Sequence, residues 1–152
     1  MIFNVASIAS ALLLALPIVA SPVTSGLNKP TTYKVTVGAD GKLRYNPEYV
    51  HAKVGDYIKF EFRPKNHTVT ESSFDHPCKA IDGGFRTGFI PVPVNQTGHF
   101  PVRKFKVTDE KPHWFYCGQV GHCPAGMVFA VNPPKEGNTF DAFQKLAMES
   151  GN

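Results

Sequence analysis

One stretch of this chain decides its fold: HWFYCGQVGHCPAGMVFAV, which covers residues 113–131. Aromatic residues lead into Cys117 and an apolar run follows Met127, which is the pattern of two strands joined by a loop. The loop carries Cys117, His122 and Met127 at the spacing C-x4-H-x4-M. A thiolate, an imidazole and a thioether form a soft ligand set that suits copper, and only a second histidine is missing from a blue-copper site. The stretch therefore predicts a metal-binding loop closed by two strands.

The second histidine has to come from another loop. Cysteine and methionine are also ordinary core residues, so residues 113–131 alone do not separate a copper loop from a packed core. Residues 57–62 predict a strand, and His67 follows it after a turn, at the start of the next strand. The ligand set expected from the residues is therefore His67, Cys117, His122 and Met127. The remaining histidines are interpreted as surface or strand residues: His51, His76, His99 and His113.

Short segments in which apolar and polar residues alternate fill the chain between residues 31 and 134, and turn residues separate them. That spacing predicts an antiparallel-rich sandwich or barrel, which we expect to be a sandwich of seven or eight strands. Residues 138–141 then show an N-cap pattern with an acid three positions on, and apolar residues follow at helical spacing. We expect one short C-terminal helix that packs on the sandwich through Phe140, Phe143, Leu146 and Ala147.

The N-terminus has the features of a secretory signal. Residues 8–16 form an apolar run that is too short to span a bilayer, and Ala20 is a small residue at the expected cleavage point. An uncleaved membrane anchor is the alternative, which the short run and Pro17 disfavour. We expect four parts: residues 1–20 as signal peptide, 21–30 as linker, 31–134 as β domain, and 135–152 as the helix packed on it. No membrane span is expected in the mature form, and no glycolipid anchor, because the chain lacks an apolar C-terminal tail.

The net charge and the cysteine count limit the expected partners and disulfides. The net charge is a modest +4, and lysines and arginines alternate with apolar residues along the predicted strands. We interpret these charges as solvated surface and expect no nucleic-acid partner. Secretion permits disulfides, and the odd count of three cysteines leaves one thiol over. Sequons occur at Asn66 and Asn95, and Asn95 is the expected acceptor because a glycan on Asn66 would adjoin His67.

Three pieces of the chain resemble the cupredoxin (blue copper) family, and most closely its phytocyanin-like fungal secreted members. The pieces are Tyr45-Asn46-Pro47 through Val54-Gly55-Asp56 to Phe60; Asn66-His67-Thr68-Val69 followed by Phe74 and Cys78; and Phe115-Tyr116-Cys117 with Gly121-His122-Cys123 and Gly126-Met127. Together they span roughly residues 31–132. The helix after Asn138 and a Gly/Pro-rich insertion near residues 79–98 depart from the plant members.

The resemblance implies an all-β, cupredoxin-like Greek-key β-sandwich with one copper ion on His67, Cys117 and His122 and with Met127 axial. It also implies a disulfide between Cys78 and Cys123. Three strong ligands and a weak one leave no open position for substrate, so we expect single-electron transfer and no enzyme activity. The alternative is an extracellular copper-binding or buffering protein without redox turnover. We expect a monomer, secreted to the medium or cell wall, with a redox partner that the sequence does not identify.

Overall fold

The computed structural model describes residues 29–151. The expected signal peptide at residues 1–20 and most of the expected linker at 21–30 lie outside the described residues, so both stay predictions. Within residues 29–151, no helix is long and apolar enough to cross a bilayer.

Ten strands and one α-helix form the described part of the chain, with one 3-10 turn at Ala39–Gly41. The strands are β1 (Thr32–Val37), β2 (Tyr45–Asn46), β3 (Tyr49–Val50), β4 (Tyr57–Phe62), β5 (Lys65–His67), β6 (Thr70–Ser72), β7 (Ile90–Val92), β8 (Val102–Lys106), β9 (His113–Tyr116) and β10 (Val128–Val131). The helix is α1 (Phe140–Glu149).

The strands form two four-stranded sheets and one small sheet. Sheet one has the order β2-β1-β4-β8, sheet two has the order β3-β10-β9-β6, and β5 pairs with β7 alone. The pairs β1–β4 and β3–β10 are parallel, and the other five pairings are antiparallel. The predicted all-β sandwich, rich in antiparallel pairs, is confirmed.

The number of strands exceeds the predicted seven or eight. Pro47 separates β2 from β3, and the two pieces join different sheets, because β2 pairs with β1 whereas β3 pairs with β10. Proline has no backbone N–H to give to a sheet ladder, so it is confined to strand ends and edge strands, and Pro47 ends β2. The Gly/Pro-rich insertion adds β7, which pairs with β5 and positions His67 opposite Ile90.

A cluster of aromatic rings fills the space between the two large sheets. The ring of Phe60 lies 5.3 Å from that of Phe129, and Phe115 lies 5.8 Å from Phe129, centroid to centroid. All three side chains are fully buried, and burial of one such ring stabilises a fold by about 1.5–3 kcal/mol. Cys117 and Met127 belong to the same core, so the predicted metal loop is anchored on it.

The C-terminal helix covers the outer face of sheet two. The Thr139 hydroxyl caps the helix by accepting a hydrogen bond from the Ala142 N–H at 3.2 Å. The ring of Phe143 lies 4.6 Å from that of Trp114, which points away from the inner core. All four residues of β10 are buried, because the inner core covers one face of the strand and α1 covers the other. The predicted helix is confirmed; Phe140, Phe143 and Ala147 are buried, and Leu146 is half-buried.

Candidate metal centre

Two loops bring the predicted ligands together at one end of the sandwich. His67 is the last residue of β5, and Cys117 directly follows β9. The strands β9 and β10 pair with Tyr116 opposite Val128, which closes the loop between them. Within that loop the Cys117 N–H donates to the Met127 carbonyl at 3.1 Å, and the Met127 N–H donates to the His122 carbonyl at 3.0 Å. The loop backbone therefore holds its own three candidate ligands close to one another.

The donor atoms of His67, Cys117 and His122 all lie within 4.8 Å of one another. The Cys117 Sγ is 3.3 Å from the Nδ1 of His122 and 3.9 Å from the Nδ1 of His67. Both imidazoles thus turn the same nitrogen toward the thiol. Met127 is fully buried and is bonded through its backbone to Cys117 and His122. Two imidazoles and a thiol that converge on one point, beside a buried thioether, fit a copper ion.

Burial sets the protonation states of the metal-free site. Burial lowers the pKa of His67 and of His122, so both imidazoles are neutral near pH 7. Burial raises the pKa of the Cys117 thiol, although hydrogen bonds from the N–H groups of Thr68 and Gln119 oppose that shift. A metal ion that binds here would displace the thiol proton and would meet no positive charge on the imidazoles.

Thr68 connects the His67 loop to the Cys117 loop through hydrogen bonds, one of them to the cysteine sulfur. Its N–H donates to the Cys117 Sγ at 3.3 Å, and its Oγ1 accepts from the Gly118 N–H at 2.7 Å. The hydroxyl of Tyr45, which is fully buried, donates to the Thr68 carbonyl at 2.7 Å. Every polar group of Thr68 is therefore engaged, and the residue links β2 and the His67 loop to the cysteine. Tyr45 and Thr68 lie in segments that carry the family resemblance, but no local signal marks them as part of the site.

Gly38 packs directly against the His67 ring. It has a φ of +77°, and a Cβ at this position would lie 2.2 Å from the His67 Nε2. Only glycine allows the backbone after β1 to approach the imidazole so closely. The His67 Nε2 is buried and has no hydrogen-bond partner among residues 29–151, so this side of the ring is held by packing against Gly38. The sequence suggests only a turn around Gly38, and the contact with His67 depends on the pairing of distant strands.

The disulfide implied by the resemblance is present. Cys78 is bonded to Cys123, and Cys117 is the free cysteine, fully buried. The bond ties the residue next to His122 to the segment after β6. It lies beneath the end of α1, where the Ser150 hydroxyl is 3.0 Å from the Cys78 Sγ.

The other histidines lie elsewhere. His113 contacts Glu71 at 2.9 Å and Asp109 at 3.5 Å, and His51 packs beside Tyr49 with ring centroids 5.8 Å apart. His76 and His99 are exposed. In residues 29–151, the His67, Cys117 and His122 cluster is the one group of three donors close enough to share an ion.

The two sequons differ in their surroundings. The Asn66 side chain donates to Gln119 Oε1 at 3.3 Å, which links the two ligand loops. Asn95 is exposed in the loop after β7. The difference favours Asn95 over Asn66 as a glycan acceptor, and glycosylation at Asn95 stays a prediction.

Comparison with known proteins gives two curated relatives, both from the fungus Arthroderma benhamiae. The chain is 34% identical over 128 residues, which is 84% of its length, to a protein named "Probable GPI-anchored cupredoxin-1". It is 30% identical over 130 residues, again 84% of its length, to an "Extracellular serine-rich protein". The chain spans only 65% and 50% of the lengths of these two relatives. No protein-family model matches the chain.

Among solved structures, auracyanin A, a "blue" copper protein from Chloroflexus aurantiacus, gives a TM-score of 0.49 at 11% identity, over 68% of this chain and 98% of that chain. Oxidised plastocyanin from Dryopteris crassirhizoma gives a TM-score of 0.47 at 19% identity, over 64% of this chain and 96% of that chain. The sequence relative, the β-sandwich and the loop that joins cysteine, histidine and methionine beside His67 together support this chain as a member of the cupredoxin family.

Proposed function

We propose that this chain is a secreted type 1 (blue) copper protein that transfers single electrons. His67, Cys117 and His122 would hold one copper ion, and the thioether of Met127 would be a fourth, weaker ligand. The observation that carries the proposal is the convergence of two imidazoles and a thiol within 4.8 Å beside a buried methionine. Copper held by such ligands supplies a one-electron couple between Cu(I) and Cu(II).

The chain's own residues keep the site in one shape. Thr68 anchors the cysteine sulfur and the backbone of Gly118, and Tyr45 in turn anchors Thr68. Donors that are held by the fold need little rearrangement when the charge on the site changes. The N–H that Thr68 directs at the sulfur is expected to tune the reduction potential. Four donors leave no open position for a substrate, so we assign no catalytic residue.

We expect electrons to enter and leave through His122. His67 and Cys117 are only 2% and 0% exposed, whereas His122 is half-buried. The neighbouring Val120 is 82% exposed, and Gly121 adds no side chain, so a partner surface can approach the edge of the His122 ring closely. The redox partner is unidentified, and the chain is expected to act as a monomer.

The visible absorption spectrum of the copper-loaded protein tests the proposal. Cu(II) bound to the Cys117 thiolate is expected to give an intense charge-transfer band that aqueous copper lacks. Cys117→Ser should abolish the band even where some copper stays bound, and His67→Ala or His122→Ala should weaken copper binding. His51→Ala is the matched control, because this histidine is exposed and outside the cluster, and it should leave the band unchanged. A colourless wild-type protein, or a Cys117→Ser variant that keeps the band, would refute the blue-copper assignment.

The role of Met127 has its own test. Met127→Gln should keep the visible band but lower the reduction potential, because an oxygen donor favours Cu(II) over Cu(I) more than a thioether does. Cyclic voltammetry of the two proteins measures the difference. An unchanged potential would mean that Met127 is only a core residue.

An extracellular copper-binding or buffering protein would use the same ligands without redox turnover. The electron self-exchange rate separates the two functions. Rapid exchange, seen as averaged nuclear magnetic resonance signals in a mixture of oxidised and reduced protein, supports electron transfer. Slow exchange with tight Cu(I) binding would favour the buffering function.

The proposal also includes an extracellular location, at the cell surface or in the wall. It is supported by the two curated relatives, one named as GPI-anchored and one as extracellular. We propose cleavage after residue 20, a linker at 21–30, a copper domain at 31–134 with the helix region 135–152 packed on it, and a glycan on Asn95. Mass spectrometry of the secreted protein before and after deglycosylation would find the mature N-terminus and any mass shift at Asn95.

A further inference from the structure

Three lysines lie side by side on the outer face of sheet one. The strand register sets Lys34 of β1 opposite Lys59 of β4, and Lys59 opposite Lys104 of β8. Because neighbouring strands are about 4.8 Å apart, the three side chains start from one line across the sheet. We refer to Lys34, Lys59 and Lys104 as the lysine row. Lys106 lies two residues further along β8, opposite Tyr57.

Lys34 and Lys104 are exposed and Lys59 is half-buried, so the row lies on the solvent face of the sheet. Residues on either side of the lysines in sequence, such as Val35, Ile58 and Phe105, are buried in the core. Side chains alternate between the two faces of a strand, so the lysines emerge on the opposite face. Thr36 and Asn46 also lie on this outer face, and their register positions are adjacent to each other.

Little negative charge balances the row. Glu61 is the acidic residue on this face of β4, and it already contacts Lys34 at 3.1 Å and the guanidinium of Arg63. Lys59, Lys104 and Lys106 have no carboxylate within salt-bridge distance among residues 29–151. The face is therefore locally much more positive than the net charge of +4 suggests.

Protection of a sheet edge explains only part of this arrangement. Lysines on an edge strand discourage pairing with another chain, and β8 is an edge of its sheet. Lys34 and Lys59, however, lie on the two interior strands, where no edge needs protection. Like charges opposite each other on adjacent strands are destabilising. Lys59 and Lys104, which lie opposite each other without a carboxylate partner, therefore repel each other, and a bound anion would relieve that repulsion.

We propose that the lysine row binds a linear anionic polysaccharide. A polymer with negative groups at short, regular intervals matches lysines that start from neighbouring positions on three adjacent strands, and Lys binds such groups as a point charge. The neighbouring Tyr57, Thr36 and Asn46 supply an aromatic ring, a hydroxyl and an amide, which suit sugar rings and hydroxyls. The choice of a polysaccharide over a nucleic acid rests on the extracellular location proposed above. Copper binding is not required, because the row lies on a sheet face and not at the loops that carry His67 and Cys117.

Binding to heparin, a sulfated polysaccharide, tests the inference with the full secreted chain, metal-free and copper-loaded. At 0.15 M NaCl the wild-type protein should bind heparin, and K34Q/K59Q/K104Q should bind at least about tenfold more weakly, since such binding depends on the number of contacting cations. The control K79Q/K111Q/K135Q removes three exposed lysines elsewhere and should change the dissociation constant less than about twofold. K34R/K59R/K104R should retain binding, because the positive charges are kept.

Three results would overturn the inference. The first is a wild-type protein that does not bind heparin at this salt concentration. The second is an equal loss of affinity in the row variant and the control, because net charge alone would then explain binding. The third is row-dependent binding to a single-stranded DNA oligonucleotide that is as tight as binding to heparin, which would indicate a nucleic-acid partner. Thermal unfolding of each variant checks that a loss of binding is not a loss of fold. A copper site that fails the spectroscopic test would leave this result unaffected.

Discussion

Gly38 and Gly41 have similar left-handed backbones, with φ values of +77° and +68°, but very different surroundings. A Cβ at Gly38 would collide with the His67 ring, whereas a Cβ at Gly41 would meet no atom within 4 Å. An alanine at either position carries the same order of backbone strain, about 1–2 kcal/mol. The pair therefore separates the effect of backbone strain from the effect of displacing a ligand.

We expect Gly38→Ala to weaken copper binding and alter the visible spectrum, because the His67 ring has to move. Gly41→Ala should lower the free energy of unfolding through the same kind of backbone strain, but it should keep the visible spectrum of the wild type. Copper titration followed by visible absorption, with urea unfolding of the metal-free proteins, measures both effects. Identical spectra for the two variants would mean that the Gly38 contact does not position His67.

At the scale of secondary-structure elements, Glu71 of β6 connects three segments. Its Oε1 contacts the His113 ring at the start of β9, and its Oε2 accepts from the Phe85 N–H at 2.8 Å. Its backbone N–H donates to the Phe85 carbonyl at 2.8 Å, and its backbone carbonyl accepts from the Ile81 N–H of the central insertion at 3.1 Å. The Glu71 carboxylate thus connects the central insertion, through Phe85, to β9 of sheet two, through His113.

The pH dependence of stability should report this carboxylate. Burial raises the pKa of Glu71, but the hydrogen bonds from His113 and from the Phe85 N–H more than offset that, so its pKa is lowered overall. A lowered folded-state pKa adds stability that is present above the unfolded value of about 4.3 and is lost as pH falls through the folded value. We therefore expect wild type to be more stable than Glu71→Gln at pH 6, with the difference shrinking below about pH 4. Urea unfolding across this range, with exposed Glu110→Gln as the control, is the measurement; a constant difference would contradict it.

The packing of α1 on sheet two gives a second prediction for an element. Phe143 is fully buried between Trp114 and Phe74, so Phe143→Ala should lower the free energy of unfolding by about 3–5 kcal/mol. Met148 is on the same helix but 52% exposed, and Met148→Ala should cost less than about 1 kcal/mol. Urea unfolding of both variants gives the comparison. Equal small effects would mean that the helix is not part of the cooperative fold.

At the scale of the whole molecule, the Cys78–Cys123 disulfide joins the ligand loop to the segment after β6 across a sequence separation of 45 residues. Closing a loop of that length in the unfolded chain is worth about 4 kcal/mol in the chain-entropy model. Cys78→Ala combined with Cys123→Ala should therefore destabilise the metal-free protein by roughly 2–5 kcal/mol. Reductant should bring the wild type to the same stability and should leave the variant unchanged.

Thiol titration of the unfolded, unreduced apo-protein gives an independent count. One reactive thiol, from Cys117, is expected. Three reactive thiols would mean that the disulfide is absent, and the stability measurement would then have no crosslink to report.

The sequence by itself determined those features whose cause is local. Alternation of apolar and polar residues predicted the strands, because it depends on side chains that point to opposite faces at every second residue. The capping residues before Phe140 predicted where the helix begins, because capping involves only neighbours in sequence. The spacing of Cys117, His122 and Met127 predicted a common loop for the same reason, and His67 was expected beside it because of its place after a strand and turn.

Only the tertiary structure decided the features that depend on which distant segments become neighbours. It assigned β2 and β3 to different sheets, set Gly38 against His67 and Tyr45 against Thr68, and joined Glu71 to His113. The lysine row is the clearest case. The sequence shows lysines scattered over three segments, which we interpreted as ordinary solvated surface. Strand register brings three of them into one line, because pairing depends on the core packing of the whole sandwich and not on any one strand.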